Sequence, residues 1–253
     1  MRLDNYLALN GYFDSRTKAK QAIERGEIFL DGKLVQKSSF EISDDFDGKI
    51  EYIFENEFVS LGGYKLNKAL KDFNFNVENL VCADFGASTG GFTDCLLQSR
   101  TAKVYAIDLN DDLLHEKLKK DSRVVSIIKN VKDLTKNDFH DEIDLVVCDL
   151  SFISATLILP VMSNIINDNK HIILLIKPQF ENKERKKFKN GIVKDSKTRK
   201  VACETIFNCA IANGLIPTKF TNAPINNGKN VEYLALLKKS KTEIPFDLSG
   251  YKF

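Results

Sequence analysis

The chain lacks several features that would place it in a particular class of protein. Its 253 residues include no tryptophan, and no apolar run is long enough to cross a membrane. The first residues show no basic segment followed by an apolar one, so a signal peptide is not expected. The formal net charge is only +2, which by itself indicates no partner. We therefore expect a cytoplasmic protein without a membrane segment.

Cysteine and histidine are also scarce. The five cysteines are odd in number and have no C-x-x-C spacing, and Cys82, Cys148 and Cys209 lie in apolar runs. This pattern is typical of reduced, buried thiols and not of disulfides or metal ligands. The three histidines are scattered along the chain, so no metal site is predicted.

The composition is that of an ordinary globular protein, with 43% hydrophobic and 28% charged residues. The length allows one large domain and one small one. The most informative stretch reads ADFGASTGGFTD and runs from Ala83 to Asp94, between an apolar strand-like run and a helical pattern. A glycine-rich turn there lets a ligand approach the backbone, and N–H groups at the helix start can hold a polar or anionic group.

Asp108 indicates the kind of ligand. It ends the next predicted strand about twenty residues on, the usual distance for an acidic residue that accepts hydrogen bonds from a ribose. The site is therefore predicted to hold a nucleoside cofactor.

Three interpretations of this loop compete. A dinucleotide site is disfavoured because Ser88 stands where G-x-G-x-x-G has its second glycine. Residues 86–90 match the G-x-S-x-G turn of α/β-hydrolases, but that enzyme needs a histidine, and His171 begins a strand at the end away from the site. The third is a D-x-G loop, in which Asp84 and the turn backbone hold the methionine end of S-adenosylmethionine. We favour this third interpretation.

Strands and helices alternate after residue 80, which predicts an α/β fold: a Rossmann-like, doubly wound sheet with helices on both faces. Ligands in such sheets bind at the carboxyl ends of the strands. Asp84, Asp108, Asp149 and Lys177 each follow or end an apolar run, so we expect them to gather at one edge of the sheet.

The pattern after Asp149 predicts a helix over 154–166 and two final strands at 218–221 and 231–237. If the last strand is antiparallel, it starts at the edge where the parallel strands end. Glu232 would then face Asp149 and Lys177. The alternative for each of these residues is an ordinary polar side chain at the end of a strand.

The first 55 residues predict a small α+β domain. They contain two helical patterns, over Arg2 to Asn10 and Arg16 to Arg25, and a hairpin with a type I′ turn at Asp31-Gly32. The residues RLD at 2–4, Ser15-Arg16 and DGK at 31–33 resemble the S4 RNA-binding domain. Such domains place the second helix and the hairpin against phosphates. The implied RNA contacts are Arg2, Arg16, Lys18, Lys20, Arg25, Lys33 and Lys37. The alternative is that these charged side chains only keep the outer face of a helix in contact with water and do not bind RNA.

Six motifs in the same order, from GGYKL at 62–66 to GKNVE at 228–232, resemble the TlyA/haemolysin-A family of rRNA 2′-O-methyltransferases. The intervening ones are the 84–94 loop, DLSFIS at 149–154, KPQFE at 177–181 and GIVKD at 191–195. The family's catalytic half is FtsJ/RrmJ-like. One departure is Leu61, where the family usually has arginine, so any contact assigned to that position is in question.

This resemblance implies a catalytic tetrad of Lys65, Asp149, Lys177 and Glu232. Lys177 would act as base or alkoxide stabiliser, Asp149 would orient it, and Lys65 and Glu232 would place the ribose. The implied contacts to S-adenosylmethionine are Asp84, Gly86, Ser88, Thr89, Gly90, Gly91, Phe92, Asp108, Asp133 and Asp149.

The implied substrate is a cytidine in ribosomal RNA, and the RNA is either free or part of a ribosomal subunit. Large-subunit rRNA is favoured, because the chain begins at the S4 motif and stops soon after the last strand, like the shorter form of the family. We expect an S4-like domain over 1–55, a linker and start of the second domain over 56–64, an FtsJ-like domain over 65–253, and a monomer. The alternatives are a non-catalytic ribosome assembly factor and a hydrolase using Ser88. A membrane-active haemolysin finds no support in the sequence.

Overall fold

The computed structural model describes residues 1–13, 15–52, 58–181, 188, 191–224, 230–242 and 246–253. The chain forms two compact units, Met1–Glu57 and Phe58–Phe253. Residues 58–64, which the sequence assigned to a linker and the start of the second domain, lie in this second unit. The first predicted linker residues, 56 and 57, lie outside the described residues.

Unit 1 is built from two helices and a small antiparallel sheet. Its elements are α1 (Leu3–Leu9), α2 (Arg16–Arg25), β1 (Ile28–Leu30), β2 (Lys33–Val35) and β3 (Ile50–Tyr52), with strand order β2-β1-β3. The Ser15 hydroxyl caps α2 by accepting from the Lys18 N–H, and Gly26 ends it at a φ of 77°. Asp31 and Gly32 both have positive φ, as a type I′ turn requires. The sequence predicts this cap, this stop and this turn.

Asp4 is a buried charge in unit 1, only 1% exposed. Its carboxylate accepts hydrogen bonds from Arg2 Nε at 3.1 Å and Nη2 at 2.8 Å, and it lies 3.2 Å from Arg16 Nε. These bonds, the one from Arg2 first, hold the pKa of Asp4 below its ordinary value. One acidic side chain thus ties the start of α1 to the start of α2.

Unit 2 contains one seven-stranded sheet within its described residues, in the order β6-β5-β4-β7-β8-β10-β9. Its strands are β4 (Val81–Phe85), β5 (Lys103–Asp108), β6 (Val124–Ile128), β7 (Leu145–Cys148), β8 (His171–Ile176), β9 (Leu215–Asn222) and β10 (Tyr233–Lys239). Strands β4 to β8 are parallel, and β10 is antiparallel to both of its neighbours. The predicted α/β sheet is confirmed.

Helices cover both faces of this sheet. They are α3 (Leu61–Asp72), α4 (Gly91–Gln98), α5 (Glu116–Lys119), α6 (Leu159–Ile165), α7 (Pro178–Glu181) and α8 (Ser196–Ala212), with 3₁₀ turns at Val131–Asp133, Lys136–Asp138 and Ala155–Leu157. Side chains of α3, α4 and α5 pack on one face of the sheet, and those of α6 and α8 pack on the other. Among the described residues, no helix is both long and apolar enough to span a membrane.

Several boundaries differ from the predicted ones, and the strand predicted at 218–221 extends over Leu215–Asn222. The helix predicted over 154–166 is a 3₁₀ turn followed by α6, because Pro160 has no N–H to donate and fits only the first turn of an α-helix. Strand β10 begins at Tyr233, not at 231, so Glu232 lies immediately before the strand.

We expect Asp4→Ala to lower the free energy of unfolding of unit 1 by about 2–3 kcal/mol, since two arginines lose a buried partner. Because the pKa of Asp4 is lowered in the fold, its contribution is present above the unfolded pKa and is lost as pH falls through the folded pKa. Hydrogen exchange of residues 1–52 at pH 7, with exposed Asp47→Ala as control, measures the effect. Equal protection in both variants would contradict it.

Candidate active site at the carboxyl edge of the sheet

The loop between β4 and α4 turns sharply through left-handed conformations. The φ angle is 83° at Gly86, 50° at Ser88 and 92° at Gly90. The N–H groups of Gly86 and Ala87 both donate to the Ile107 carbonyl, which ties the loop to β5. A Cβ at Gly86 would lie 2.9 Å from the Asp149 carbonyl oxygen, so glycine is required for this close approach.

A cavity of about 180 Å³ opens beside this loop. Its lining residues are Ser60, Gly62, Gly86, Ala87, Ser88, Thr89, Gly91, Phe92, Asp149, Ser151 and Lys177. The cavity therefore joins the predicted cofactor loop to two predicted catalytic residues. The sequence analysis did not assign Ser60, Gly62, Ala87 or Ser151 to the cofactor site. The available signal was the GGYKL motif, which begins at Gly62, two residues after Ser60.

The start of α3 forms one wall because two helix ends pack closely. A Cβ at Gly91 would lie 2.9 Å from the Gly63 backbone nitrogen, so only glycine allows α3 and α4 to approach this far. Asp94 fixes the contact: its Oδ2 accepts from the Val59 N–H at 2.8 Å and lies 3.0 Å from Lys117 Nζ. The carboxylate of Asp94 thus holds the segment before α3 against the loop.

Asp84 lies beneath the loop and not on the cavity wall. It is fully buried, and its Oδ2 accepts a hydrogen bond from the Thr93 hydroxyl at 2.7 Å. Its Oδ1 has no hydrogen-bond partner in the described part of the chain. In this structure the side chain supports the loop from below, and a direct contact between Asp84 and the cofactor stays a prediction. Burial raises the pKa of Asp84 to about 7.

Lys177 and Asp149 form the central ion pair. They directly follow the neighbouring parallel strands β8 and β7, and Lys177 Nζ lies 2.5 Å from Asp149 Oδ1. Only 9% of the lysine side chain and 20% of the aspartate side chain are exposed. Lys177 Nζ also donates to the Ser151 hydroxyl at 2.8 Å. An ammonium has three N–H bonds, so Lys177 can bind Ser151, pair with the Asp149 carboxylate and still donate to a further acceptor.

Lys65 and Glu232 form a second pair in the same region. Lys65 Nζ donates to Glu232 Oε2 at 2.7 Å, and both side chains are less than one-fifth exposed. In the antiparallel pairing of β10 with β8, Tyr233 lies opposite Ile176, so Glu232 comes beside Lys177. The structure thus brings all four tetrad positions together, as the topological argument for Glu232 predicts.

Gln179 connects the two pairs. It lies two residues after Lys177, and its Nε2 donates to Glu232 Oε1 at 3.2 Å. Sequence reasoning gave no role to Gln179, because nothing local indicates that it would meet a residue more than fifty positions away.

An aromatic pair borders the site. The rings of Phe152 and Phe180 are 5.0 Å apart, and Lys177 Nζ lies 5.8 Å from the centre of the Phe180 ring. Phe152 is 80% exposed and has a φ of 67°, an unusual angle for a bulky residue. The site therefore presents a flat apolar surface beside its charged groups.

The remaining predicted cofactor residues are further from the cavity. Asp108 ends β5, and its Oδ2 accepts from the Ser88 N–H at 2.8 Å, so it shapes the loop directly. Leu109, the next residue, is 68% exposed. Gly90 begins α4, where a Cβ would lie 2.1 Å from Leu118. Asp133 is exposed in the turn after β6 and does not line the cavity.

The predicted RNA-contacting residues of unit 1 fall into two groups. Arg2 and Arg16 are paired with buried Asp4, and Lys20 lies 3.8 Å from Glu24. Lys18, Lys33 and Lys37 are exposed. The side chain of Arg25 and the motif residues Gly228 and Lys229 lie outside the described residues.

Ser88 has no catalytic partner of the kind a hydrolase needs. The ring of His115 accepts from the Lys117 N–H, and His171 begins β8 at the opposite edge of the sheet. His140 follows Phe139, whose ring contacts Tyr105. No hydrogen bond in the described part of the chain joins Ser88 to any of these three histidines.

Comparison with known proteins places this geometry in a family. The FtsJ-like methyltransferase family matches residues 58–239, and the S4 domain matches residues 1–45. The chain is 42% identical over 238 residues to "Hemolysin A" of Brachyspira hyodysenteriae, covering 93% of this chain and 98% of that protein. It is 34% identical over 240 residues to the "16S/23S rRNA (cytidine-2'-O)-methyltransferase TlyA" of Mycobacterium tuberculosis, covering 94% and 89%.

A solved structure shows the same architecture. A protein of Streptococcus thermophilus, described as a proposed hemolysin, superposes with a TM-score of 0.74 at 35% identity, covering 96% of this chain and 90% of that one. The fold and the family match make the chain an FtsJ-like methyltransferase with an S4 domain. Within that class it belongs to the TlyA/haemolysin-A family. The resemblance found from the six motifs is confirmed.

We expect Asp84→Asn to remove a pH dependence of stability. The folded pKa of about 7 exceeds the ordinary 3.8, so the free energy of unfolding of the wild type falls as pH rises from about 4 to 7. A shift of this size corresponds to roughly 4 kcal/mol at most. Urea unfolding between pH 4 and 8, with exposed Asp112→Asn as control, measures it. A constant difference between Asp84→Asn and wild type across this range would contradict the assignment.

Proposed function

We propose that this protein transfers the methyl group of S-adenosylmethionine to the ribose 2′-hydroxyl of a cytidine in ribosomal RNA. The observation that carries the proposal is the convergence of the Lys177–Asp149 and Lys65–Glu232 pairs beside the glycine-rich loop. Large-subunit rRNA is the first substrate to test, and small-subunit rRNA is the second, because the Mycobacterium relative is named for both.

The cavity residues suit the methionine end of the cofactor. Residues 86–89 line the cavity, the first turn of α4 supplies N–H groups at Gly91 and Phe92, and Ser60 and Gly62 form a further part of the wall. Asp108 offers carboxylate oxygens to ribose hydroxyls, and Leu109 offers an exposed apolar side chain to the adenine. When bound, the cofactor supplies an electrophilic sulfonium methyl group. Asp133 remains a candidate contact at the adenine end.

Lys177 and Asp149 are placed to handle the hydroxyl proton together. A ribose 2′-hydroxyl is a poor nucleophile until that proton is removed. As a paired ammonium, Lys177 uses its remaining N–H to bind the 2′-oxygen. Transfer of one ammonium proton to Asp149 gives a neutral Lys177 amine, whose lone pair then accepts the hydroxyl proton, so the pair gains one proton and the oxygen attacks as an alkoxide. The ammonium stabilises the charge on that alkoxide.

Lys65 and Glu232 hold the ribose in line for the transfer. Their opposite charges compensate each other, so neither is left unpaired in a partly buried site. The Gln179 amide restrains the Glu232 carboxylate. Fixing the hydroxyl in line with the methyl group accounts for a large part of the expected rate enhancement.

Phe152 provides a surface for the target base. An exposed ring beside Lys177 can stack on a nucleobase that has been turned out of its helix, as single-stranded RNA readers do. This stacking would be tolerant of base identity, so selection of the nucleotide must also depend on RNA structure.

The competing function is an rRNA-binding assembly factor that has lost catalysis. An intact set of two ion pairs disfavours it, because a chain without catalysis has no reason to keep four partly buried charges in one place. Ribosomal RNA as substrate is consistent with a cytoplasmic monomer, which we retain as the expected state.

Lys177→Met is expected to lower the single-turnover rate of methyl transfer to rRNA by about 10²–10⁴-fold, because the hydroxyl loses its proton acceptor. Cofactor affinity measured by calorimetry should stay near the wild-type value. Lys241→Met, at a position 90% exposed, is the matched control. Wild-type rates for Lys177→Met on rRNA that wild type methylates would remove Lys177 from the catalytic step.

RNA binding by unit 1 is best tested at the hairpin. Reversing Arg16 would also strand buried Asp4, so weaker binding there could follow from loss of folding. Lys33→Glu with Lys37→Glu should weaken rRNA binding and reduce the salt slope by about one unit for each phosphate that the protein no longer neutralises. Filter binding across a salt series measures this, with Lys71→Glu on α3 as control. An unchanged slope would show that these lysines only solvate the hairpin.

A further inference from the structure

The loop after β7 and the segment after β8 are joined at several points. Asp149 and Ser151 of the loop contact Lys177, and the ring of Phe152 contacts the ring of Phe180. The remaining contact is made by Glu181, the last residue of α7, whose partners lie at the far end of the loop.

Glu181 binds two donors with one carboxylate. Its Oε2 accepts from the Ser154 hydroxyl at 2.5 Å, and its Oε1 accepts from the Ala155 N–H at 2.9 Å. Ser154 and Ala155 begin the 3₁₀ turn that follows the loop, so the carboxylate caps that turn from another segment. Such charge-assisted bonds are shorter and stronger than neutral ones.

The loop needs support at both ends. Residues 149–154 belong to no helix or strand, and Phe152 adopts a left-handed conformation that is unfavourable for a bulky residue. The Asp149 N–H donates to the Phe85 carbonyl, which fixes the near end against β4. Glu181 fixes the far end, so of the two residues that touch Lys177, Asp149 lies at the near anchor and Ser151 lies between the anchors.

We propose that Glu181 is a positioning residue for the methyl-transfer reaction. By holding Ser154 and Ala155 to the segment that carries Lys177, it sets the distances from Lys177 to Asp149 and Ser151. The inference rests on the proposed function for its kinetic consequence, but its structural consequence can be measured without substrate.

The kinetic test compares Glu181→Ala, Glu181→Gln and Ser154→Ala with wild type on rRNA, at a temperature where all are folded. Glu181→Ala should lower kcat by about 10–100-fold with KM for cofactor and RNA within about twofold, because displacement of a catalytic pair by about 1 Å is costly. Glu181→Gln should recover part of the rate, since its carbonyl oxygen can still accept one bond. Adding Ser154→Ala to Glu181→Ala should have little further effect.

The control is Glu204→Gln, the same chemical change on α8 at a glutamate paired with Lys200. It should leave kcat at the wild-type value. A fall in melting temperature alone, with kcat unchanged in Glu181→Ala, would overturn the proposal. A rise in KM at constant kcat would also overturn it, because it would make Glu181 a substrate-binding residue.

A crystal structure of Glu181→Ala separates this inference from the proposed function. We expect the Lys177–Asp149 pair to open beyond about 4 Å, the limit for an ion pair, and amide exchange in residues 150–155 to accelerate, whatever the substrate is. An ion pair kept at its present distance would overturn the positioning role. Failure of the wild-type protein to methylate any rRNA would instead overturn the proposed function.

Discussion

The ion pair between Lys177 and Asp149 is the interaction on which the site depends. A lysine at the end of the most apolar strand is tolerated only beside a counter-charge, and the parallel pairing of β7 with β8 supplies that charge. In the proposed reaction the same pair accepts the hydroxyl proton and stabilises the alkoxide. The stability of the fold and the proposed reaction therefore both require these two residues to form an oppositely charged pair.

The reversed direction of β10 completes the site. An antiparallel strand inserted between β8 and β9 brings its first residues to the edge where the parallel strands end, which is how Glu232 reaches Lys65 and Gln179. The glycine-rich loop meets this edge because the strand order places β4 next to β7. Side chains from distant parts of the sequence thus come together in one site.

Much of this could be predicted from the sequence, and the reasons are specific. Apolar runs ending in Asp149 and Lys177 locate two of the proposed catalytic positions, since parallel strands end at the same edge of a sheet. For Asp84 the pattern identifies the strand end but does not show whether the side chain points into the cavity or beneath it. The roles of Asp94, Gln179 and Glu181 depend on contacts between remote segments, and the pairing of Arg16 with Asp4 could not be seen from helical spacing alone.

The central claim is that the two ion pairs act on a ribose hydroxyl of RNA. The most direct measurement incubates the purified protein with labelled S-adenosylmethionine and unmodified rRNA of each subunit, digests the RNA to nucleosides and identifies the labelled product by mass spectrometry. The account predicts 2′-O-methylcytidine. A methyl group found on a nucleobase, or no transfer to rRNA by a protein that binds the cofactor, would contradict it.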